Sequence, residues 1–128
     1  MSDQVVRVLV VDDQAPFRVA ARAVVRATAG FEVVGEAKSG EEAVESAGEV
    51  SPDLVLMDIN MEGIGGIEAT RRITEQHPEV RVVLLSTYDA EDLPDDARHC
   101  GAAAYVHKEE FGPDVLEKVG SDEAGLGL

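Results

Sequence analysis

Five polar side chains that could do chemistry together directly follow apolar runs of the sequence. The runs are "VLVV", "LVLM", "VVLL" and "AYVH", and the side chains that follow them are Asp12, Asp13, Asp58, Ser86 and Lys108. Carboxylates held close together repel one another unless a cation lies among them, and oxygen ligands of this kind suit Mg²⁺. A hydroxyl and an ammonium beside such a cation could bind a phosphoryl group, with one carboxylate as the nucleophile. The sequence therefore predicts a phosphoryl-transfer site, provided that the fold brings these residues together.

Each of these residues also has an ordinary structural explanation when it is taken alone. "DDQAPF" at residues 12–17 could be a helix N-terminus, with an Asp cap and Pro near the first turn. Asp58 could be a turn residue at a strand end, Ser86 a helix cap and Lys108 a solvated surface lysine. The site interpretation is preferred because separate predicted strand ends supply chemically complementary groups.

The elements that must position these side chains are indicated by the spacing of apolar residues. Nearly continuous apolar runs, as in the first, third and fourth predicted strands, are typical of strands buried on both faces. The predicted strands are Val5–Val11, Phe31–Gly35, Leu54–Met57, Arg81–Leu85 and Ala103–Val106. Helical spacing between them predicts helices over Ala15–Thr28, Gly40–Val50, Ile67–Gln76, Asp92–Cys100 and Pro113–Val119. Since Pro94 suits only the first turn of a helix, the fourth helix is expected to be short or irregular.

The alternation of strands and helices predicts an α/β fold. We expect a doubly wound, five-stranded parallel sheet of order 2-1-3-4-5, flavodoxin-like, with helices on both faces. In such a fold, sites form outside the carboxyl ends of the strands where the strand order reverses, here beside the first and third strands. The predicted domain covers residues 5–119, and the Gly-rich, acidic segment 120–128 is expected to be a flexible tail.

Composition limits the partners and the location that we expect. The 128 residues include 26 acidic and 11 basic side chains, for a formal net charge of -15 at pH 7. Nucleic acids and anionic membranes attract proteins through Lys and Arg, so neither is expected as a direct partner. Cys100 is the only cysteine, which excludes a disulfide framework, and no apolar run is long enough to span a membrane. A cytoplasmic location is expected.

The motifs together resemble the receiver domain of two-component response regulators over residues 5–119. The resemblance is carried by "VLVVDDQ", "PDLVLMDINM…GGIEAT", "VVLLST" and "GAAAYVHK". In motif the chain is most similar to the subfamily whose members often carry a helix-turn-helix output domain. A stand-alone receiver is expected rather than a piece cut from a longer regulator, because the Gly-rich end is typical of a natural terminus.

The resemblance implies a role for each residue of the predicted site. Asp58 would accept a phosphoryl group from a histidine kinase or a small phosphodonor, assisted by Lys108. The implied Mg²⁺ ligands are Asp12, Asp13, Asp58 and the backbone carbonyl of Asn60. Ser86 would be the switch hydroxyl and Tyr105 the switch aromatic. Phosphorylation would then change the surface around the fourth helix, fifth strand and fifth helix, where an output partner or a second copy of the chain would bind.

The chain departs from the family pattern after the predicted phosphoacceptor. In "MEGIGGIEA", Glu62 stands where the family often has Pro, and Gly65 stands where it often has Asp. The glycines permit backbone angles that Pro would limit, so a looser loop and a changed phosphate lifetime are expected. Glu109 follows Lys108, so the Lys-Pro pair and the cis peptide frequent in the family are expected to be absent.

Two other functions stay open at this point. A haloacid-dehalogenase-like phosphatase also forms an aspartyl phosphate on a doubly wound sheet, but it needs Asp-x-Asp, and Asn60 occupies the second position here. A receiver-fold scaffold that works without phosphorylation is the other alternative, against which the complete acidic set argues. The preferred hypothesis is a signalling domain rather than an enzyme, with only self-catalysed phosphotransfer and dephosphorylation.

Overall fold

Five parallel strands form one sheet in the computed structural model, which describes residues 5–120. The strands are β1 (Val6–Val11), β2 (Phe31–Ala37), β3 (Leu54–Asp58), β4 (Arg81–Ser86) and β5 (Ala104–His107). The α-helices are α1 (Ala15–Ala27), α2 (Gly40–Val50), α3 (Gly65–Gln76) and α4 (Pro113–Val119). The strand order is β2-β1-β3-β4-β5, so the predicted doubly wound fold of order 2-1-3-4-5 is confirmed. Of the predicted tail, residues 121–128 lie outside the described residues.

Burial of the central strands on both faces holds the sheet in place. Successive side chains of a strand point to opposite faces, and every residue of β3 is buried. On one face, α1 and α4 pack on the sheet through Ala21, Val25, Leu116 and Val119. On the other face, α2 and α3 pack through Ala43, Ala47, Ala69 and Ile73. The ends of β1 and β3 are therefore fixed by packing from both sides.

Four strands end later than the apolar pattern predicts, β2 by two residues and β3, β4 and β5 by one residue each. Strand β3 includes Asp58, which is paired with Leu85, and β4 includes Ser86, which is paired with His107. The backbone ladder does not need apolar side chains, so it continues into the polar residues at the sheet edge. Both side chains are consequently part of a strand and not of a mobile turn.

The predicted fourth helix, Asp92–Cys100, is wrong as an α-helix. Two short 3-10 helices, Ala90–Asp92 and Asp95–Arg98, occupy this part of the chain, which we call the 3-10 segment (residues 90–98). Pro94 has an extended ψ of 147° and lacks the N–H that an α-helix would use. Aspartates, which have low helix propensity, lie on both sides of it, and among residues 91–98 only Leu93 and Ala97 are buried hydrophobic residues.

None of the helices among the described residues is long and apolar enough to cross a lipid bilayer. The described backbone also contains no cis peptide bond, as expected from Glu109 after Lys108.

Candidate functional site

The carboxylates predicted to meet do meet at the carboxyl edge of the sheet. Val11 of β1 is paired with Met57 of β3, so the residues that follow, Asp12 and Asp58, are neighbours across the two strands. One carboxylate oxygen each from Asp12, Asp13 and Asp58 lies within 4.8 Å of the others. Asp12 and Asp58 are buried, whereas Asp13 is exposed. We call these three carboxylates and Lys108 the acidic pocket.

Lys108 reaches the acidic pocket from the end of β5. Its Nζ lies 2.7 Å from Oδ2 of Asp12 and 3.3 Å from Oδ1 of Asp58. Strand β4 lies between β5 and β3 in the sheet, so the Lys108 side chain passes the end of β4 to reach Asp58. The ammonium therefore joins the two buried carboxylates and offsets part of their repulsion.

An aromatic ring of α1 also contacts the lysine. Lys108 Nζ lies 4.4 Å from the centroid of the Phe17 ring, which is cation–π geometry. The Phe17 ring in turn packs against Phe111, with 6.4 Å between centroids. The sequence carries no signal of this contact, because helical spacing shows which side of α1 Phe17 lies on and not which ion it contacts.

The protonation behaviour of the acidic pocket reflects its burial. Burial, and next the charge of Asp12, raise the pKa of Asp58 to about 6, although Lys108 and a backbone hydrogen bond from Asn60 oppose this. Burial lowers the pKa of Lys108, but hydrogen bonding to Asp12 and the charge of Asp58 outweigh it, so its pKa lies above the ordinary value. An additional cation would therefore stabilise the ionised form of Asp58.

The donor set fits Mg²⁺. All three side-chain ligands are carboxylates, and hard oxygen ligands suit Mg²⁺ better than the sulfur and nitrogen ligands that zinc prefers. The exposure of Asp13 leaves one side open, as Mg²⁺ requires because it keeps several water ligands. Asn60 is exposed, and its backbone donates to the Asp58 carboxylate; the role of its carbonyl as a ligand stays a prediction.

Ser86 and Tyr105 contact each other through hydrogen bonds at the end of β4. The Ser86 hydroxyl is buried and accepts a hydrogen bond from the Tyr88 amide at 3.0 Å. The Tyr105 hydroxyl donates to the Tyr88 carbonyl and also hydrogen bonds with Ser86, while burial raises the pKa of Tyr105. The two predicted switch residues are thus joined to each other, directly and through the backbone of Tyr88.

The loop after Asp58 returns very close to it. A Cβ atom added to Gly66 would lie 1.9 Å from the backbone oxygen of Asp58, so no side chain fits there without displacing backbone. The amide of Gly66 donates to the carbonyl of Ile59 at 3.1 Å, and the preceding Gly65 has a φ of +78°. The expected glycine backbone angles are therefore present, whereas the expected looseness of the loop stays a prediction.

Asp12 is held by hydrogen bonds to its backbone as well as to its side chain. Oδ1 accepts from the amide of Gln14 at 2.8 Å, and the backbone carbonyl accepts from NH1 of Arg18 at 2.6 Å. Gln14 is the N-cap of α1 and makes no side-chain cap hydrogen bond. The role of Arg18 could not be predicted from the sequence, because a six-residue separation within "DDQAPFR" carries no signal of a side-chain to backbone contact.

The fold and the site together define a class: doubly wound α/β domains with an acidic pocket and a lysine at the carboxyl edge of the sheet. A family model for the response regulator receiver domain matches residues 8–119, and the chain belongs to this family. The predicted resemblance is therefore confirmed. Receiver domains are the signalling domains of two-component response regulators.

Relatives of known sequence agree with the family assignment. The response regulator GacA of Pseudomonas viridiflava is 43% identical over 103 residues, which are 80% of this chain and 48% of the relative. The response regulator UvrY of Escherichia coli K12 is 37% identical over 120 residues, or 94% of this chain and 55% of the relative. The chain thus spans about half the length of the curated relatives it matches.

Solved structures show the same fold. The response regulator domain of Thermotoga maritima CheB is 35% identical, with a TM-score of 0.82 over 91% of this chain and 94% of that chain. A LuxR-family response regulator from Aurantimonas has a TM-score of 0.85 and 30% identity over 97% of this chain and 89% of that chain. One chain in the structure of a complex of CheX with CheY, BeF3 and Mg²⁺ from Borrelia burgdorferi has a TM-score of 0.75 and 31% identity, over 88% of this chain and 84% of that chain.

Proposed function

We propose that this receiver domain is a phosphorylation-dependent switch in which Asp58 accepts a phosphoryl group from a histidine kinase with the help of Mg²⁺. One observation carries the proposal. The Asp58 carboxylate is buried at the end of β3, within 4.8 Å of oxygens of Asp12 and Asp13, and 3.3 Å from the Lys108 ammonium. This is the arrangement that transfer of a phosphoryl group to a carboxylate requires.

The residues of the acidic pocket have separate tasks in the proposed transfer. An oxygen of Asp58 attacks phosphorus in line, the bond from phosphorus to the donor breaks, and an acyl phosphate forms. The Lys108 ammonium, already 3.3 Å from Asp58, binds a phosphoryl oxygen and offsets its negative charge. Asp12, Asp13, Asp58 and the Asn60 carbonyl would hold Mg²⁺, which would supply further charge neutralisation.

The signal leaves the acidic pocket through Ser86 and Tyr105 in this proposal. Ser86 exchanges its hydrogen bond with the Tyr88 amide for one to the phosphoryl group, which alters the backbone that Tyr105 contacts. The surface formed by the 3-10 segment, β5 and α4 then changes between two arrangements. The predicted fourth helix of this surface is replaced here by the 3-10 segment.

The partners follow from this role. The proposed phosphodonor is a histidine kinase, and the changed surface would bind an output partner or a second copy of the chain. The net charge of -15 disfavours direct binding of nucleic acid or an anionic membrane by these 128 residues. We place the chain in the cytoplasm, in keeping with a single, unpaired cysteine. It would transform no substrate beyond its own phosphoryl group.

The test is labelling by a small phosphodonor such as acetyl phosphate. The wild-type chain should take up at most one equivalent of phosphoryl group, only with Mg²⁺, and Asp58→Asn should lose at least about a hundredfold in rate because the nucleophile is gone. Asp89→Asn is the matched control, since Asp89 belongs to an exposed trio with Glu91 and Asp92 whose oxygens lie equally close together. Equal labelling of Asp58→Asn and wild type would contradict the assignment.

The same experiment separates the two alternative functions. Turnover of a phosphoester well beyond one equivalent would indicate a phosphatase. Since Asn60 cannot act as an acid or a base, another residue would then have to supply that group. A chain that takes up neither Mg²⁺ nor phosphoryl group would instead fit a scaffold that works without phosphorylation.

A further inference from the structure

The hydrogen bonds of Asp12 fix its whole peptide and not only its carboxylate. Its amide donates to the carbonyl of Ala37 on β2 at 3.1 Å, and its carboxylate oxygens accept from Gln14 and Lys108. The remaining polar group, the backbone carbonyl, accepts from Arg18 at 2.6 Å. Asp12 is fully buried, so a carbonyl left without this donor would lose a hydrogen bond that water does not readily replace.

A second charged residue orients the guanidinium of Arg18. Its Nε lies 3.4 Å from Oε1 of Glu36 on β2, and the Arg18 side chain is only 20% exposed. The other carboxylate oxygen of Glu36 accepts from NH1 of Arg22 at 2.7 Å. Glu36 therefore binds two arginines of α1, but only Arg18 continues to the backbone of Asp12. A planar guanidinium held at one end presents its other N–H groups in a fixed direction.

The position of that carbonyl matters because it belongs to the peptide that joins Asp12 to Asp13. Rotation of this peptide would turn both carboxylates relative to Asp58, which sits on a different strand. We propose that Arg18 is a positioning residue for the acidic pocket: it holds the Asp12–Asp13 peptide so that both carboxylates face the cation site, and Glu36 orients it. The inference rests on the proposed function, since it concerns the same Mg²⁺ site.

Positioning and simple electrostatics predict opposite signs for the loss of Arg18. Removing a positive charge near three carboxylates should strengthen binding of a divalent cation if charge alone matters. Loss of a residue that orients metal ligands instead weakens metal binding, typically by ten- to a hundredfold. The sign of the change in Mg²⁺ affinity therefore identifies the role of Arg18, whatever the size of that change.

The experiment compares Arg18→Gln with Arg22→Gln by calorimetric titration of the unphosphorylated chain with Mg²⁺. Each variant removes one positive charge from α1 and one contact with Glu36. Only Arg18→Gln also removes the hydrogen bond to the Asp12 carbonyl. We expect Arg18→Gln to weaken Mg²⁺ binding about tenfold and Arg22→Gln to leave it unchanged or slightly tighter. Arg18→Lys, which keeps one donor and the charge, should recover part of the affinity.

One further variant keeps the outcomes distinct. Glu36→Gln leaves Arg18 in place but removes the charge that orients it, so it should weaken Mg²⁺ binding about threefold even if Arg18→Gln does not fold, and the weakening should persist at about 1 M salt, where the direct effect of the lost charge is screened. Arg18→Gln and Glu36→Gln binding Mg²⁺ as tightly as Arg22→Gln, or more tightly, would overturn the inference. Absence of Mg²⁺ uptake by the wild-type chain would instead overturn the proposed function.

Discussion

The acidic pocket and the 3-10 segment both follow strands of the same sheet, but they are built in different ways. The carboxylates of the acidic pocket extend from β1 and β3, whose apolar side chains are buried against helices on both faces. The 3-10 segment follows β4, contains no α-helical turn and places Leu93 and Ala97 in the core. One region is fixed by two layers of packing, and the other by a few side chains.

The comparison suggests why a switch would be arranged in this way. Groups that transfer a phosphoryl group need fixed positions, because small displacements of reacting atoms cost large factors in rate. A surface that must change its arrangement needs alternative states of similar free energy, which few buried contacts and no helical hydrogen-bond ladder provide. Four experiments test this difference, from the largest expected effect to the smallest.

Two leucine truncations compare the regions directly. Leu56 of β3 is completely buried, so Leu56→Ala should lower the free energy of unfolding by about 4 kcal/mol. Leu93→Ala should cost only about 2 kcal/mol, because the 3-10 segment can collapse into the space that is left. Urea unfolding measures both, and Leu93→Ala should retain wild-type Mg²⁺ affinity. Equal costs for the two variants would show that the regions are equally rigid.

A methyl group at Gly66 tests how tightly the loop after Asp58 is fixed. Gly66→Ala should lower the free energy of unfolding by about 3 kcal/mol, because the methyl group would overlap the backbone oxygen of Asp58. Mg²⁺ affinity should fall with it. Gly112→Ala is the control, since nothing lies within 4 Å of a Cβ there, and it should change stability by less than about 0.5 kcal/mol. A stable Gly66→Ala variant with normal Mg²⁺ affinity would indicate a loop that moves freely.

The pH dependence of stability tests the burial of Asp58. The pKa of Asp58 is about 6 in the folded chain, whereas the ordinary value is 3.8. The protonated Asp58 therefore stabilises the fold at low pH, and this stabilisation is lost as the pH rises from 3.8 through 6. At about 1.4 kcal/mol per tenfold change in proton affinity, the loss is about 3 kcal/mol. The free energies of unfolding of wild type and Asp58→Asn should be measured from pH 3.5 to 7 in the presence of a chelator. The difference between the two free energies should change with pH.

Two observations would decide this prediction. Saturating Mg²⁺ should reduce the loss of stability near pH 6, because the cation binds the ionised form of Asp58. A constant difference between wild type and Asp58→Asn across the pH range would mean that the carboxylate is solvated in solution, contrary to its 5% exposure.

The smallest effect concerns Pro94 in the 3-10 segment. Pro94→Ala restores a backbone N–H and removes the restriction on the preceding residue, so helical chemical shifts over residues 90–98 should increase in nuclear magnetic resonance spectra. Stability should change by less than about 1 kcal/mol, and Mg²⁺ affinity should stay the same. Unchanged chemical shifts would assign the lack of an α-helix to the acidic residues and the scarcity of apolar ones.

Residue patterns predicted what depends on burial. The continuous apolar runs before Asp12 and Asp58 indicated strands buried on both faces, and the topology of parallel strands then required their ends to meet. Burial patterns do not encode the backbone ladder beyond the last apolar residue, which is why the inclusion of Asp58 and Ser86 in their strands was missed. They also overestimated the helix around Pro94, where Leu93, Ala97 and Cys100 have suitable spacing but the local backbone preference opposes it.

The contacts of the Arg18 and Phe17 side chains could not be predicted from the sequence. Arg18 and Phe17 lie next to each other in α1, and helical periodicity describes the side of the helix on which each lies. Whether Arg18 turns back to a carbonyl, or the ring of Phe17 lies under Lys108, depends on side-chain rotamers and on elements distant in the chain.

The hydrogen-bonded pair of tyrosines gives the chain a built-in optical probe. The 128 residues contain two tyrosines, Tyr88 and Tyr105, and no tryptophan, and the Tyr105 hydroxyl donates to the Tyr88 carbonyl. Near-ultraviolet emission of the unlabelled chain therefore originates almost entirely beside Ser86. A movement of Tyr105 would change the intensity without any background from the rest of the fold, so the switch can be followed in real time with no dye or engineered reporter.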